Sequence, residues 1–245
     1  MAGPFNAYTG PTVVSNGTLF VDGNYSDITT GSFTVHGGTL GGTGAITAPV
    51  VINVGGALAP GGLSVSVATL TFGNTLSLAG TTRMDVNKTG GVFVNDFVFG
   101  VTTLQMGGTL QLNVTGEPLA VGDVISLFNF NSASGNFSAI TPATPGPGLV
   151  WDTSNLAANG TMAVTAFTSR PEFGTVLQSA GAIVMNGSNG LPGATYYVLS
   201  STNIATPLNQ WLPVLTNAFD ASGNFSATNL IDPATPQRFF LLQTP

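Results

Sequence analysis

Cysteine is missing from all 245 residues. That absence excludes disulfide frameworks, thiolate metal sites and cysteine nucleophiles, and a chain of this length can bury a core without such staples. Charge is scarce as well: 6% of the residues are Asp, Glu, Lys or Arg, against roughly 25% in an ordinary soluble domain. Arg83, Lys88, Arg170 and Arg238 are the four cations, and ten acids bring the formal net charge to -6. Four scattered cations cannot neutralise a run of phosphates, so neither nucleic acid nor an anionic membrane surface is an expected partner. Long apolar runs are absent, because Thr, Asn or Gly interrupts each hydrophobic segment, and membrane insertion is therefore not expected. The first residues, MAGPFNAYTG, lack a basic region followed by an apolar core, so no export signal is read there.

What remains is apolar and glycine-rich. Hydrophobic residues make up 43% of the chain and mean hydropathy is +0.36, the opposite of a disordered composition. Glycine occurs 33 times and proline 15 times, spaced so that few windows could hold a helix. Leu76-Ser77-Leu78 and Leu110-Gln111-Leu112-Asn113-Val114 alternate with the period of a half-buried strand. The strands share a plan of Gly, a small residue, then an apolar run: GTLFV at 17 to 21, GSFTV at 31 to 35, GTL at 38 to 40, GAIT at 44 to 47, GALAPG at 56 to 61, GTTRMDV at 80 to 86 and GTLQLNV at 108 to 114. Repeated short strands with glycine at the corners and no intervening helices predict a solenoid whose coils stack in register.

The stretches YTGPTVVSNGTLFVDG, 8 to 23, and VHGGTLGGTGAITAPVVINVGGALAPGG, 35 to 62, resemble the autotransporter-associated β-strand repeat of bacterial passenger-type surface proteins. The segment that follows, to about residue 165, is similar to the region that trails this repeat in large secreted bacterial proteins. The resemblance implies a right-handed parallel β-helix, an extracellular or cell-surface location and no catalytic motif. This chain holds about one repeat unit where relatives hold many.

Composition changes after SRPEFG, residues 169 to 174. Beyond it, larger aromatics and turn clusters such as SNGLPG and DASGN predict an antiparallel β-sandwich of six or seven strands. The fold expectation is all-β: a short right-handed parallel β-helix over 1–168, a linker at 169–174 and a β-sandwich over 175–245. Trp211, Phe219, Phe225 and Phe239 or Phe240 are its predicted core.

Candidate chemistry is thin. His36 is the one histidine, and its neighbours offer no triad partner. Asp85, with Arg83, Lys88 and Asp96, is the densest ionic cluster and reads as a surface ion pair; Gly-flanked Lys88 reads as exposed. Asp22 and Asp27 lack any recognised calcium-loop spacing. No catalytic residue, metal or cofactor is expected. Low charge removes the repulsion that keeps molecules apart, and a solenoid end is a row of unpaired strand backbone. Those two features predict a self-assembling subunit of a surface filament, layer or matrix, a homopolymer joined head to tail through Pro4, Phe5, Tyr8, Pro11 and Val13. The alternative is an adhesin or carbohydrate-binding module, in which Tyr8, Tyr25, Tyr196 or Tyr197 would stack on a cell-surface or matrix polysaccharide; a polysaccharide lyase or hydrolase using Asp85 comes third.

Overall fold

The computed structural model describes residues 10–25, 31–61 and 67–244. The chain divides into two compact units, residues 1–165 and 166–245. Both are β-structures, and the described helix is limited to α1, Leu156–Asn159, and one 3-10 turn, Leu208–Gln210.

The first unit advances in threes. Its opening strands are β1 (Thr12–Val14), β2 (Thr18–Phe20) and β3 (Asn24–Tyr25), then β4 (Phe33–Val35), β5 (Thr39–Gly42) and β6 (Ala45–Ile46), then β7 (Val50–Ile52), β8 (Ala57–Pro60) and β9 (Thr69–Phe72). Next come β10 (Leu76–Leu78), β11 (Thr81–Thr89), β12 (Val92–Asn95), β13 (Phe97–Met106), β14 (Thr109–Gly116), β15 (Val124–Ser126), β16 (Phe128–Gly135) and β17 (Ala139–Thr141). Apart from β12 and β15, which pair antiparallel with β11 and with a later strand, the strands pair in parallel from coil to coil: β1, β4, β7, β10, β13 and β16 form one column, and β2, β5, β8, β11, β14 and β17 a second. The third column runs β3, β6, β9 and the start of β13. Strand β13 serves two columns because it turns at Gly100, whose φ of 76° is open to a residue without Cβ.

The column through β2 explains the repeated Gly-Thr-Leu. Leu19, Leu40, Leu58, Thr82, Leu110 and Ile140 are successive register partners. Two positions earlier, the carbonyls of Gly17, Gly38, Gly56, Gly80 and Gly108 each accept a backbone N–H from the next coil, and for the first four the distance is 2.8 to 3.0 Å. A Cβ on Gly80 would strike the Gly56 carbonyl oxygen, and one on Gly108 the Gly80 oxygen. Glycine is thus dictated by the close approach of successive coils. Above it the leucines stack, with Leu40, Leu58 and Leu110 fully buried. GSFTV and GAIT supply β4 and β6, so the single plan read in the sequence is distributed over three columns.

Thr82 breaks the leucine series. It is fully buried between Leu58 and Leu110, and its hydroxyl has no hydrogen-bond partner. An unpaired buried hydroxyl costs about 1–3 kcal/mol. Thr82→Val keeps the shape and removes the polar atom. It should raise stability by about 1 kcal/mol and the melting temperature by about 2–4 °C, measured by calorimetry; an unchanged or lower melting point would contradict this account.

The last coils are covered by α1 and a sheet in the order β15, β19 (Thr161–Ala166), β18 (Leu149–Asp152). Leu156 and Met162 bring these elements into the main core.

The second unit contains β20 (Glu172–Ser179), β21 (Ala182–Ser188), β22 (Thr195–Ser201), β23 (Leu212–Ala218), β24 (Phe225–Leu230) and β25 (Phe239–Gln243). They form two three-stranded antiparallel sheets, ordered β20-β21-β24 and β23-β22-β25. Met185, Phe225 and Ala227 from the first and Tyr196 and Val198 from the second share one core with Phe219. Phe240 packs against it, whereas Trp211 is outside that cluster and only half-buried. The segment read as a linker, 169–174, overlaps β20, which starts at Glu172.

Candidate functional site

Among the described residues, Arg83, Asp85 and Lys88 form no ion pair with one another, and each takes a partner from a later segment. Along β11 and β14, neighbouring coils pair Arg83 with Gln111 and Asp85 with Asn113. The Arg83 Nε donates to Gln111 Oε1 at 3.4 Å and the Asn113 amide to Asp85 Oδ1 at 2.8 Å. Lys88 is not exposed. It is 7% accessible, its Nζ lies 2.7 Å from Asp123 Oδ2 and 3.3 Å from the Pro118 carbonyl, and it sits 5.7 Å from the Phe93 ring centre. Burial alone would raise the Asp123 carboxyl, but the Lys88 ammonium and the Ala120 N–H hold it below its ordinary value. Nearby, the Glu117 carboxylate accepts the N–H groups of Gly90 and Gly91 and is held low by them. These contacts fasten the β11–β12 hairpin to the segment after β14.

Asp96 is 2% exposed and accepts the N–H groups of Ala68 at 2.8 Å and Asp85 at 2.9 Å. Burial pushes its carboxyl up to about 6, against those two donors and with help from the charge of Asp85. In the unfolded chain the group keeps its ordinary value of 3.8, so folding takes up a proton between these limits. The sign follows: stability rises as pH falls from 7 towards 5, and that gain is lost as pH rises through about 6. The expected gain is about 1–2 kcal/mol. The carboxyls held low, Asp123, Asp152, Asp220 and Asp232 among them, act only at lower pH. Thermal melts at pH 5 and 7 should differ in the parent and much less in Asp96→Asn; equal dependence in both would refute the assignment.

His36 is exposed and hydrogen-bonded to the Asn53 amide at 3.1 Å. Asp22 accepts the backbone N–H and hydroxyl of Thr43. Asp27 lies outside the described residues, and among the described residues no cluster of three metal-binding side chains occurs.

Of the residues expected to join subunits, Pro4, Phe5 and Tyr8 lie outside the described residues. Pro11 is exposed, and Val13 is 57% exposed on β1, which stands at the end of its sheet order among the described residues.

The aromatic candidates separate by strand phase. In β22, Tyr196 and Val198 face the core and are fully buried, so Tyr196 cannot stack on a ligand. Tyr8 lies outside the described residues, as does the side chain of Tyr25. Tyr197 and Leu199 occupy the opposite face and line a groove of about 520 Å³ with Trp211, Pro213, Asn209 and Gln243. Trp211, expected in the core, instead forms groove wall, with Nε1 donating to the Thr206 carbonyl at 2.9 Å. A second groove, about 460 Å³, lies in the same unit and is ionic, containing Asp232 and Arg238.

The chain is similar to the adhesin BmaC autotransporter of Brucella suis biovar 1 (strain 1330), at 35% identity over 166 residues. The match covers 61% of this chain and 4% of the adhesin, so the similarity spans a small part of a much longer protein. No family model matches the chain, and no solved structure matches it.

Proposed function

We propose that the protein is a non-catalytic, surface-exposed adhesive segment: a right-handed parallel β-helix of the autotransporter-associated repeat type, together with a β-sandwich. The supporting observation is the register of Gly-Thr-Leu units through successive parallel coils, in a chain similar to part of an autotransporter adhesin. Such columns expose small polar residues while burying a continuous apolar interior, which suits a rigid extracellular support. Display on the outer surface of a non-adherent bacterial strain tests the reading. Adherence to cultured cells or to polysaccharide-coated plates should increase over a strain displaying an unrelated β-domain; equal adherence would refute it.

Head-to-tail self-assembly is the second reading, favoured by exposed Val13 on the terminal strand β1. Strand addition at that edge would extend the column into the next molecule. Light scattering and electron microscopy of the full chain and of a chain lacking residues 1–12 distinguish the outcomes. Fibres from the first and monomers from the second are expected; the same state in both would refute the reading.

A further inference from the structure

The groove on the β23-β22-β25 sheet combines two aromatic side chains with two exposed amides. Period-two alternation places Tyr197 and Leu199 on the face away from the core formed by Tyr196 and Val198. Antiparallel register sets Tyr197 beside Gln243, and Leu199 between Leu241 and Pro213. The 3-10 turn Leu208–Gln210 and Trp211 close one side. The result is a concavity with two half-buried aromatic rings in its lining and a volume of about 520 Å³, within the range of small-ligand sites.

We infer that this groove binds a neutral saccharide, stacked on Tyr197 and Trp211 and oriented by the amides of Asn209 and Gln243. Among the described residues, the lining contains no carboxylate, ammonium or guanidinium group. A phosphate, sulfate or uronate would therefore lose hydration without gaining a counter-charge, a cost that an uncharged polyhydroxylated ring does not carry. Sugar rings present a face of C–H groups to an aromatic plane and a rim of hydroxyls to polar side chains. The rim is present here: Asn209 and Gln243 are exposed, and each amide offers both a donor and an acceptor.

A proline-rich peptide is the competing occupant of a groove lined by Trp, Tyr and Pro. The Trp211 indole N–H argues against it. That donor is already committed to the Thr206 carbonyl at 2.9 Å, which leaves the ring face, not the N–H, for a ligand. A peptide with free carbonyls gains no donor from Trp211; a sugar face needs none. The second groove differs at this point, since Arg238 and Asp232 line it and no tryptophan does.

This inference rests on the reading of the chain as an adhesive surface segment, and the test separates the two. The protein has two tryptophans, and Trp151 lies in the first unit, so 5-fluorotryptophan labelling gives a groove reporter and an internal control. Purified full-length protein is titrated with cellotetraose, mannotetraose and laminaritetraose, with tetragalacturonate and an octaproline peptide as comparators. At least one neutral sugar should shift the Trp211 resonance saturably and leave that of Trp151 in place. Tyr197→Ala should weaken that binding by about tenfold or more in calorimetry. If Tyr197→Ala melts early, Asn209→Ala, an exposed change, decides by a loss of about threefold or more. Failure of all three neutral sugars to move Trp211, or binding of tetragalacturonate or octaproline in their place, overturns the inference. So does wild-type affinity in the deciding variant. Sugar binding by the purified protein without adherence of displaying cells would sink the adhesive reading alone; adherence that survives Tyr197→Ala would sink the groove alone.

Discussion

Gly108→Val should destabilise the first unit by about 3 kcal/mol or more, the largest loss expected from a single substitution here. Two costs combine. Gly108 has φ of 56°, where a β-branched residue is strained, and its new side chain would run into the Gly80 carbonyl, which already accepts the Thr109 N–H at 3.0 Å. The Gly80 carbonyl cannot retreat without loosening the coil before it. Gly122 provides the control, because its φ is 93° and no atom lies within 4 Å of where a methyl group would stand. Gly122→Ala should cost only the backbone part, about 1–2 kcal/mol. Urea titration followed by far-ultraviolet circular dichroism and by Trp151 fluorescence compares them. Equal stability of the two variants would show that crowding between coils contributes nothing.

The second large effect is expected at Lys88. Its ammonium is enclosed by Asp123, the Pro118 carbonyl and the Phe93 ring, so Lys88→Met leaves a carboxylate without its cation. A fully buried pair broken in this way loses about 3–5 kcal/mol, and an exposed one about 0–1 kcal/mol. The side chains of Lys88 and Asp123 are 9% and 15% accessible, which places the expected loss at about 2 kcal/mol. Asp123→Ala should cost a similar amount, and the double variant clearly less than the sum. Strict additivity in a urea double-mutant cycle would mean that the two groups do not stabilise one another.

The column architecture is legible in the sequence because its signal is local. Glycine followed by a small residue and leucine is what a corner needs before a buried stack, and Gly17, Gly38, Gly56, Gly80 and Gly108 do fall in one line. Which column a strand joins is not legible. GSFTV and GAIT satisfy the same local rule, and only the length of chain between corners sends them to β4 and β6. Lys88 shows the limit differently. The glycines beside it do mark a turn at Gly90 and Gly91, but Asp123 lies 35 positions away, and no local pattern reveals that the turn folds down over it. In TYYVLSS both phases alternate equally well, so sequence cannot decide whether Tyr196 or Tyr197 belongs to the core. Packing against Phe219 and Phe225 decides it. Size alone points Trp211 inward, and the Thr206 carbonyl that fixes it on a groove wall is a five-residue contact within a loop.

Val14, Val35, Ile52, Leu78 and Met106 take the same place on successive turns. Each turn therefore lengthens the first unit by one interstrand spacing, about 4.8 Å, whatever loops it carries. Reach becomes quantised: duplication or loss of a turn moves whatever is attached by a fixed step while leaving the lateral chemistry unchanged. A protein organised in this way is a ruler whose graduations are written in glycine.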